Sequence, residues 1–114
     1  MAWEVDTTEE YDAWFLELTE DGQASIRMKI ELLEEYGPHL PRPHADTLKG
    51  SKLSNLKELI AQTENHLLRV AFVFDETRKA VLLIGGDKKG KDEKRFYKNL
   101  IKQAENIYGQ YRIV

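Results

Sequence analysis

Three consecutive stretches decide the fold: Leu67-Leu68-Arg69-Val70-Ala71-Phe72-Val73-Phe74, then Asp75-Glu76-Thr77-Arg78-Lys79, then Ala80-Val81-Leu82-Leu83-Ile84. The outer two are apolar runs rich in β-branched and aromatic residues. The polar interval between them has hairpin length. Together they read as an antiparallel hairpin buried on at least one face. A lone hairpin is marginal in water, so a third strand is needed beside it. Residues 53–62, which include Leu53, Leu56, Leu59 and Ile60, are ambiguous by pattern between helix and strand and are read as that strand. Gly85-Gly86 is expected to end the sheet.

Upstream, Trp3-Glu4-Val5-Asp6 alternates apolar and polar residues and reads as a short half-buried strand. Thr7, three residues before Glu10, offers a capping box for a helix whose apolar positions are Tyr11, Trp14, Phe15 and Leu18. Thr19 or Asp21 caps a second helix, with Ala24, Met28 and Leu32 on one stripe and Ile26, Ile30 and Leu33 beside it. Gly37-Pro38 stops it. Residues 38–47, with three prolines, read as a loop. Downstream, Asp92 caps a third helix, whose apolar face runs from Phe96 and Tyr97 to Ile107 and Tyr108. Gly109 is expected to end that helix, and residues 111–114 read as an edge strand or a frayed end. The order is β-α-α-β-β-β-α. Helices precede a strand meander, which makes the chain α+β, an antiparallel sheet packed against helices.

The 114 residues predict one domain spanning 1–114. Without cysteine there is no disulfide, thiolate metal site or cysteine nucleophile. No apolar run approaches membrane-spanning length, and the first residues lack the basic and apolar regions of a signal peptide, so a cytoplasmic protein without membrane contact is expected. The net charge of −3 is unevenly spread: residues 1–36 carry 11 acids against two bases, whereas residues 37–114 carry 15 bases against nine acids. Such asymmetry points to a polyanion partner on one side, or to a solvated surface of mixed charge.

Gly85-Gly86-Asp87-Lys88-Lys89-Gly90-Lys91 matches most of a phosphate-loop pattern, but Asp92 stands where the magnesium-binding hydroxyl belongs and the preceding strand is in a hairpin. The stretch reads instead as a basic cluster. Lys91, Lys94, Arg95, Lys98 and Lys102 recur at threes and fours and share a helix face, the footprint of a phosphate-backbone binder or a solvated lysine surface. Arg69 lies inside an apolar strand, where a charge is costly unless paired or presented from an open face. It either offers its guanidinium fork to a phosphate, with Lys57 on the neighbouring strand joining that surface, or pairs with an acid such as Glu58. Tyr97 is an active-site hydroxyl or a buried helix tyrosine. His39, His44 and His66 show no metal spacing, and no partner is evident for any of them.

The ordered set Leu48, Asn55-Leu56-Lys57-Glu58-Leu59, Leu68-Arg69-Val70-Ala71-Phe72-Val73-Phe74 and Val81-Leu82-Leu83-Ile84-Gly85-Gly86-Asp87-Lys88-Lys89 resembles the HigB-like branch of the RelE/ParE toxin superfamily over residues 8–108. The resemblance implies a RelE-like fold, a toxin of a type II toxin–antitoxin system, and metal-independent endonucleolytic cleavage of mRNA on the ribosome without a cofactor. Arg69 matches the family's strand arginine and Lys88-Lys89 its lysine pair, while Tyr97 falls near the family's catalytic aromatic position. With these as catalytic candidates, Lys57, Lys91, Lys94, Arg95 and Lys98 are the RNA-binding ones. Ile60 departs from the pattern, which has an arginine there, and this implies an attenuated toxin or a loss-of-function substitution. The implied partner is a HigA-like helix-turn-helix antitoxin. Two alternatives stand beside ribonuclease activity: a ParE-like gyrase poison, and an inactive, antitoxin-binding co-repressor.

Overall fold

The computed structural model describes residues 2–113. Its elements are β1 (Glu4–Thr7), α1 (Glu9–Leu16), α2 (Glu20–Tyr36), a 3-10 turn (Gly37–His39), β2 (Ala45–Thr47), β3 (Lys57–Gln62), β4 (Leu67–Phe74), β5 (Lys79–Asp87) and α3 (Glu93–Ile113). The strands form one sheet in the order β1-β5-β4-β3-β2.

The hairpin is β4 and β5, antiparallel from Leu68 opposite Asp87 to Phe74 opposite Ala80, with a bulge at Ala71/Phe72. β4 is central and covered on both faces. Leu68, Val70 and Phe72 join the core under α1 and α2. Ala71 and Val73 join a second core under α3 with Val81, Leu83, Phe96, Leu100 and Ala104. Double burial explains why β4 is nearly all apolar, and it leaves Arg69 on the α3 face.

Several details depart from the sequence reading. The sheet is mixed, because β1 pairs parallel with β5, Glu4 opposite Lys79 through Thr7 opposite Leu82. β3 is shorter than 53–62. The proline-rich loop holds a strand, β2, whose three residues pair antiparallel with 57–59. Glycine does not end the sheet: β5 continues through Gly85 and Gly86 to Asp87. The α1 cap is Thr8, not Thr7; its Oγ1 accepts from the Tyr11 amide at 3.0 Å and donates to the Leu83 carbonyl at 2.7 Å. On α2, Ile26 and Leu33 are buried whereas Met28 is 61% exposed, so the Ala24-Met28 stripe does not face the core. α3 runs straight through Gly109. There is no edge strand at 111–113, and Val114 lies outside the described residues. Two contacts hold this last turn: within the helix Tyr111 stacks on Tyr108, and across the molecule it donates its hydroxyl to Asp6 Oδ2 at 2.8 Å.

Other expectations are met. The Thr19 side chain caps α2 by accepting from the Gly22 amide, and Glu20 and Asp21 fill its first turn, where the helix dipole favours acids. Gly37 ends it at φ 56°, its amide bonded to the Leu33 carbonyl. Asp92 Oδ1 accepts from the Arg95 amide at the start of α3.

Gly85 permits a close approach that positions α1. A Cβ there would lie 2.4 Å from the Trp14 ring. Gly85→Ala is therefore expected to cost about 1–3 kcal/mol through overpacking, read as a lowered urea midpoint.

Candidate active site

The chemistry gathers on the α3 face of the sheet. Arg69 lies near the start of β4, Glu58 near the start of the adjacent β3, and Tyr97 in the first turns of α3, which packs over them. Arg69 and Glu58 are 8% and 7% exposed, and both lie on the α3 face. Arg69 Nε donates to the Tyr97 hydroxyl at 3.1 Å and Nη1 donates to the Leu68 carbonyl at 3.0 Å. The Tyr97 hydroxyl donates in turn to Glu58 Oε1 at 2.9 Å. Nε lies 3.6 Å from the same carboxylate oxygen. Arg69 is thus paired with Glu58, through and beside Tyr97. Its Nη2 makes no hydrogen bond among the described residues, yet it is not a buried unsatisfied atom, so it keeps contact with solvent.

Burial pushes the Glu58 carboxyl above its ordinary range, and the Tyr97 hydrogen bond and the charges of Arg69 and Lys88 pull it only partly back. Burial, followed by the Glu58 charge, pushes the Tyr97 phenol up to about 12. The pair therefore consists of a phenol that keeps its proton and a carboxylate with heightened affinity for one.

The lysine pair divides. Lys88 Nζ sits 5.4 Å from the Tyr97 ring centroid and 2.6 Å from Glu93 Oε1. That hydrogen bond, with the charge of Lys88, holds the Glu93 carboxyl below its usual range. Lys89 is exposed, and its backbone amide donates to Asp87 Oδ1 at 3.0 Å. Lys91, Lys94, Arg95 and Lys98 are all exposed near the start of α3. Lys57 does not join them. It stands opposite Phe72 in the ladder and shares a face with Leu59 and Ala61, the α2 side of the sheet, whereas Arg69 is on the other. Strand alternation separates the two.

Ile60 stands directly opposite Arg69 in the β3–β4 register. A side chain there projects on the same face as Glu58 and Arg69. The sequence left His66 without a partner, but its Nδ1 lies 2.6 Å from Asp87 Oδ2. Burial alone would raise the Asp87 carboxyl; hydrogen bonds from His66, Lys89 and Leu67 outweigh it and hold it below its ordinary range. Cross-strand register, which brings residue 66 to residue 87, made this pair invisible to spacing. Among the described residues no cluster of three or more His, Asp or Glu side chains is arranged to hold a metal ion. No helix there is long and apolar enough to cross a membrane.

The family model described as phage derived protein Gp49-like (DUF891) matches residues 13–109. The chain is 43% identical over 94 residues to the Mycobacterium tuberculosis H37Rv protein named toxin HigB3, covering 82% of this chain and 80% of that one. It is 33% identical over 112 residues to the protein named toxin HigB2 of the same organism, covering 97% of this chain and 55% of that one. Among solved structures, E. coli toxin RelE in the free state, a double arginine-to-alanine variant, superposes with a TM-score of 0.61 at 12% identity, covering 90% of this chain and 98% of that one. A chain of the archaeal RelE–RelB complex from Pyrococcus horikoshii OT3 superposes at 0.57 with 18% identity, covering 79% of this chain and 99% of that one. At such identities these two matches speak for the fold. The family match spans most of the chain, and the chain belongs to the Gp49-like family, together with the HigB toxins it resembles in sequence.

Proposed function

We propose that the chain, acting as one domain, is a toxin that cleaves mRNA on the translating ribosome. The observation that supports this most is the buried Arg69–Tyr97–Glu58 set, with Arg69 Nη2 not hydrogen-bonded among the described residues and Lys88 Nζ 5.4 Å from the Tyr97 ring centroid. The RNA 2′-oxygen attacks the adjacent phosphorus, and the bond from phosphorus to the 5′-oxygen breaks. The 2′-hydroxyl proton passes to the Tyr97 oxygen as the Tyr97 proton moves to Glu58, so the phenol is neutral before and after. Arg69 and Lys88 stabilise the charge growing on the phosphorane oxygens. Removing one such donor typically costs about 3 kcal/mol of barrier. Lys89 supplies the proton to the leaving 5′-oxygen. The residues of this scheme require neither metal nor cofactor.

Working on ribosome-bound mRNA places the protein in the cytoplasm. Its partner is a helix-turn-helix antitoxin of the HigA type. An antitoxin partner is in keeping with the solved Mycobacterium tuberculosis RelBE2 toxin–antitoxin complex, one chain of which superposes with a TM-score of 0.57.

Ile60 leaves the cationic set incomplete. An arginine there would project beside Arg69, and a second donor at the phosphate is expected to raise the cleavage rate by about tenfold or more. Inducible expression of the chain and of Ile60→Arg, with growth curves and transcript-end mapping, tests both parts. New transcript ends in both cultures, more abundant in the variant, support attenuated ribonuclease activity. Equal cleavage by the two removes position 60 from the mechanism. Growth arrest without new ends, accompanied by loss of supercoiling, replaces the ribonuclease reading by gyrase poisoning. Neither arrest nor cleavage in either culture leaves a co-repressor.

A further inference from the structure

On the flank of α3 away from Tyr97 runs an open groove of about 620 Å³ between α1 and α3. β1 ends at Thr7, opposite Leu82, so among the described residues no strand covers the edge of β5 beyond it. The Trp14 ring closes over Gly85 on one side. On the other side Lys91, Arg95, Asn99 and Gln103 follow one another at intervals of four, so the helical positions among them align along the groove.

The charges of the groove are unequally committed. Asp87 is bound by His66 and by the Leu67 and Lys89 amides, and Asp92 caps α3. Arg95, Asn99 and Gln103 make no side-chain hydrogen bond or ion pair among the described residues. Among the described residues the Lys91 ammonium meets the Phe96 ring, with Nζ 5.8 Å from its centroid, and no carboxylate. The uncommitted charge is therefore positive, and the uncommitted dipoles are amides able to meet a base edge. An aromatic face with cations along an open groove is the combination that holds single-stranded nucleic acid. The groove also adjoins the candidate active site: Gly86 stands opposite Arg69, and Phe96, which lies against Gly86, immediately precedes Tyr97.

We infer that this groove is a subsite for single-stranded RNA flanking the cleavage point, with a base against Trp14, phosphates on Lys91 and Arg95, and amide contacts from Asn99 and Gln103. The inference rests on the ribonuclease reading but is tested apart from it. Trp3 and Trp14 are the two tryptophans of the chain, so in a Trp3→Phe background the fluorescence reports Trp14 alone. The purified protein is titrated with a mixed-sequence single-stranded RNA of roughly ten nucleotides. A saturable, salt-sensitive quench is expected. Adding Lys91→Ala and Arg95→Glu, both at exposed positions, should weaken it at least about tenfold without moving the urea midpoint. Lys49→Ala, elsewhere on the surface, should leave it unchanged. A quench without any cleavage activity sustains the subsite while overturning the ribonuclease reading. Trp14 silent to RNA, as for a groove that takes an extended peptide, overturns the subsite. So does a quench of equal affinity in the doubly substituted protein, even where cleavage is intact.

Discussion

Arg69→Ala is expected to lower cleavage by about 10²–10³-fold and, separately, to destabilise the fold by about 3–5 kcal/mol. The first loss comes from removing the Nη2 donor, the arm of the guanidinium not already bonded to Tyr97 or Leu68, from the phosphorane. The second comes from Glu58, which would remain buried at 7% exposure with only Tyr97 as close partner. Arg69→Lys separates the two. It keeps a positive charge near Glu58 and should recover much of the stability, yet it lacks the planar fork and should remain at least about tenfold impaired. Urea denaturation beside single-turnover cleavage on programmed ribosomes gives both numbers. An Arg69→Lys protein with full activity would mean that charge alone, and not the fork, is what the site uses.

Glu58→Gln should separate the two properties in the opposite direction. The amide oxygen of glutamine can still accept the Tyr97 hydroxyl, so the packing survives while the proton acceptor is lost. Cleavage is expected to fall by about 10²–10⁴-fold, the usual contribution of a positioned base. Stability should not fall at neutral pH. The folded-state pKa of Glu58 is raised by burial above its value in the unfolded chain, about 4.3. The wild type therefore loses stability as pH rises from that unfolded value through the raised folded one, and glutamine does not. The advantage of the variant should grow across this window and level off above it. Urea midpoints measured from about pH 4 upward test the sign. A variant that is less stable at neutral pH than at the acid end, relative to wild type, would show that the carboxylate is net stabilised by Arg69 and is no proton acceptor.

These two residues also show what could be read from the chain alone. The hairpin was legible because β4 and β5 carry strand-forming apolar runs around a polar turn of fixed length. The stop of α2 was legible because Gly37-Pro38 is local punctuation. The parallel pairing of β1 with β5 was not, since nothing local to Glu4–Thr7 encodes a partner more than seventy residues away. β2 was hidden for a related reason: three residues in a proline-rich loop become a strand only because β3 offers its edge. α3 overrode Gly109 because Tyr111 finds Asp6 across the molecule. In the candidate site, Arg69 stood out as a charge within an apolar strand, and pairing with Glu58 was one of the two readings it allowed. The relay through Tyr97 needed the α3 docking angle. Lys57 was misplaced because a strand neighbour in sequence order can face the other side of the sheet. His66–Asp87 required register, which single-chain patterns do not carry.

The most direct measurement of the central claim uses translating ribosomes programmed with an mRNA bearing a single 2′-deoxy nucleotide on the 5′ side of the mapped cleavage point. The account predicts cleavage of the all-ribose message to a 2′,3′-cyclic phosphate or its 3′-phosphate product with a 5′-hydroxyl. It predicts no cleavage at the deoxy position, and loss of the all-ribose reaction in Glu58→Gln. Undiminished cleavage at the deoxy position, or products ending in a 3′-hydroxyl and a 5′-phosphate, would contradict it.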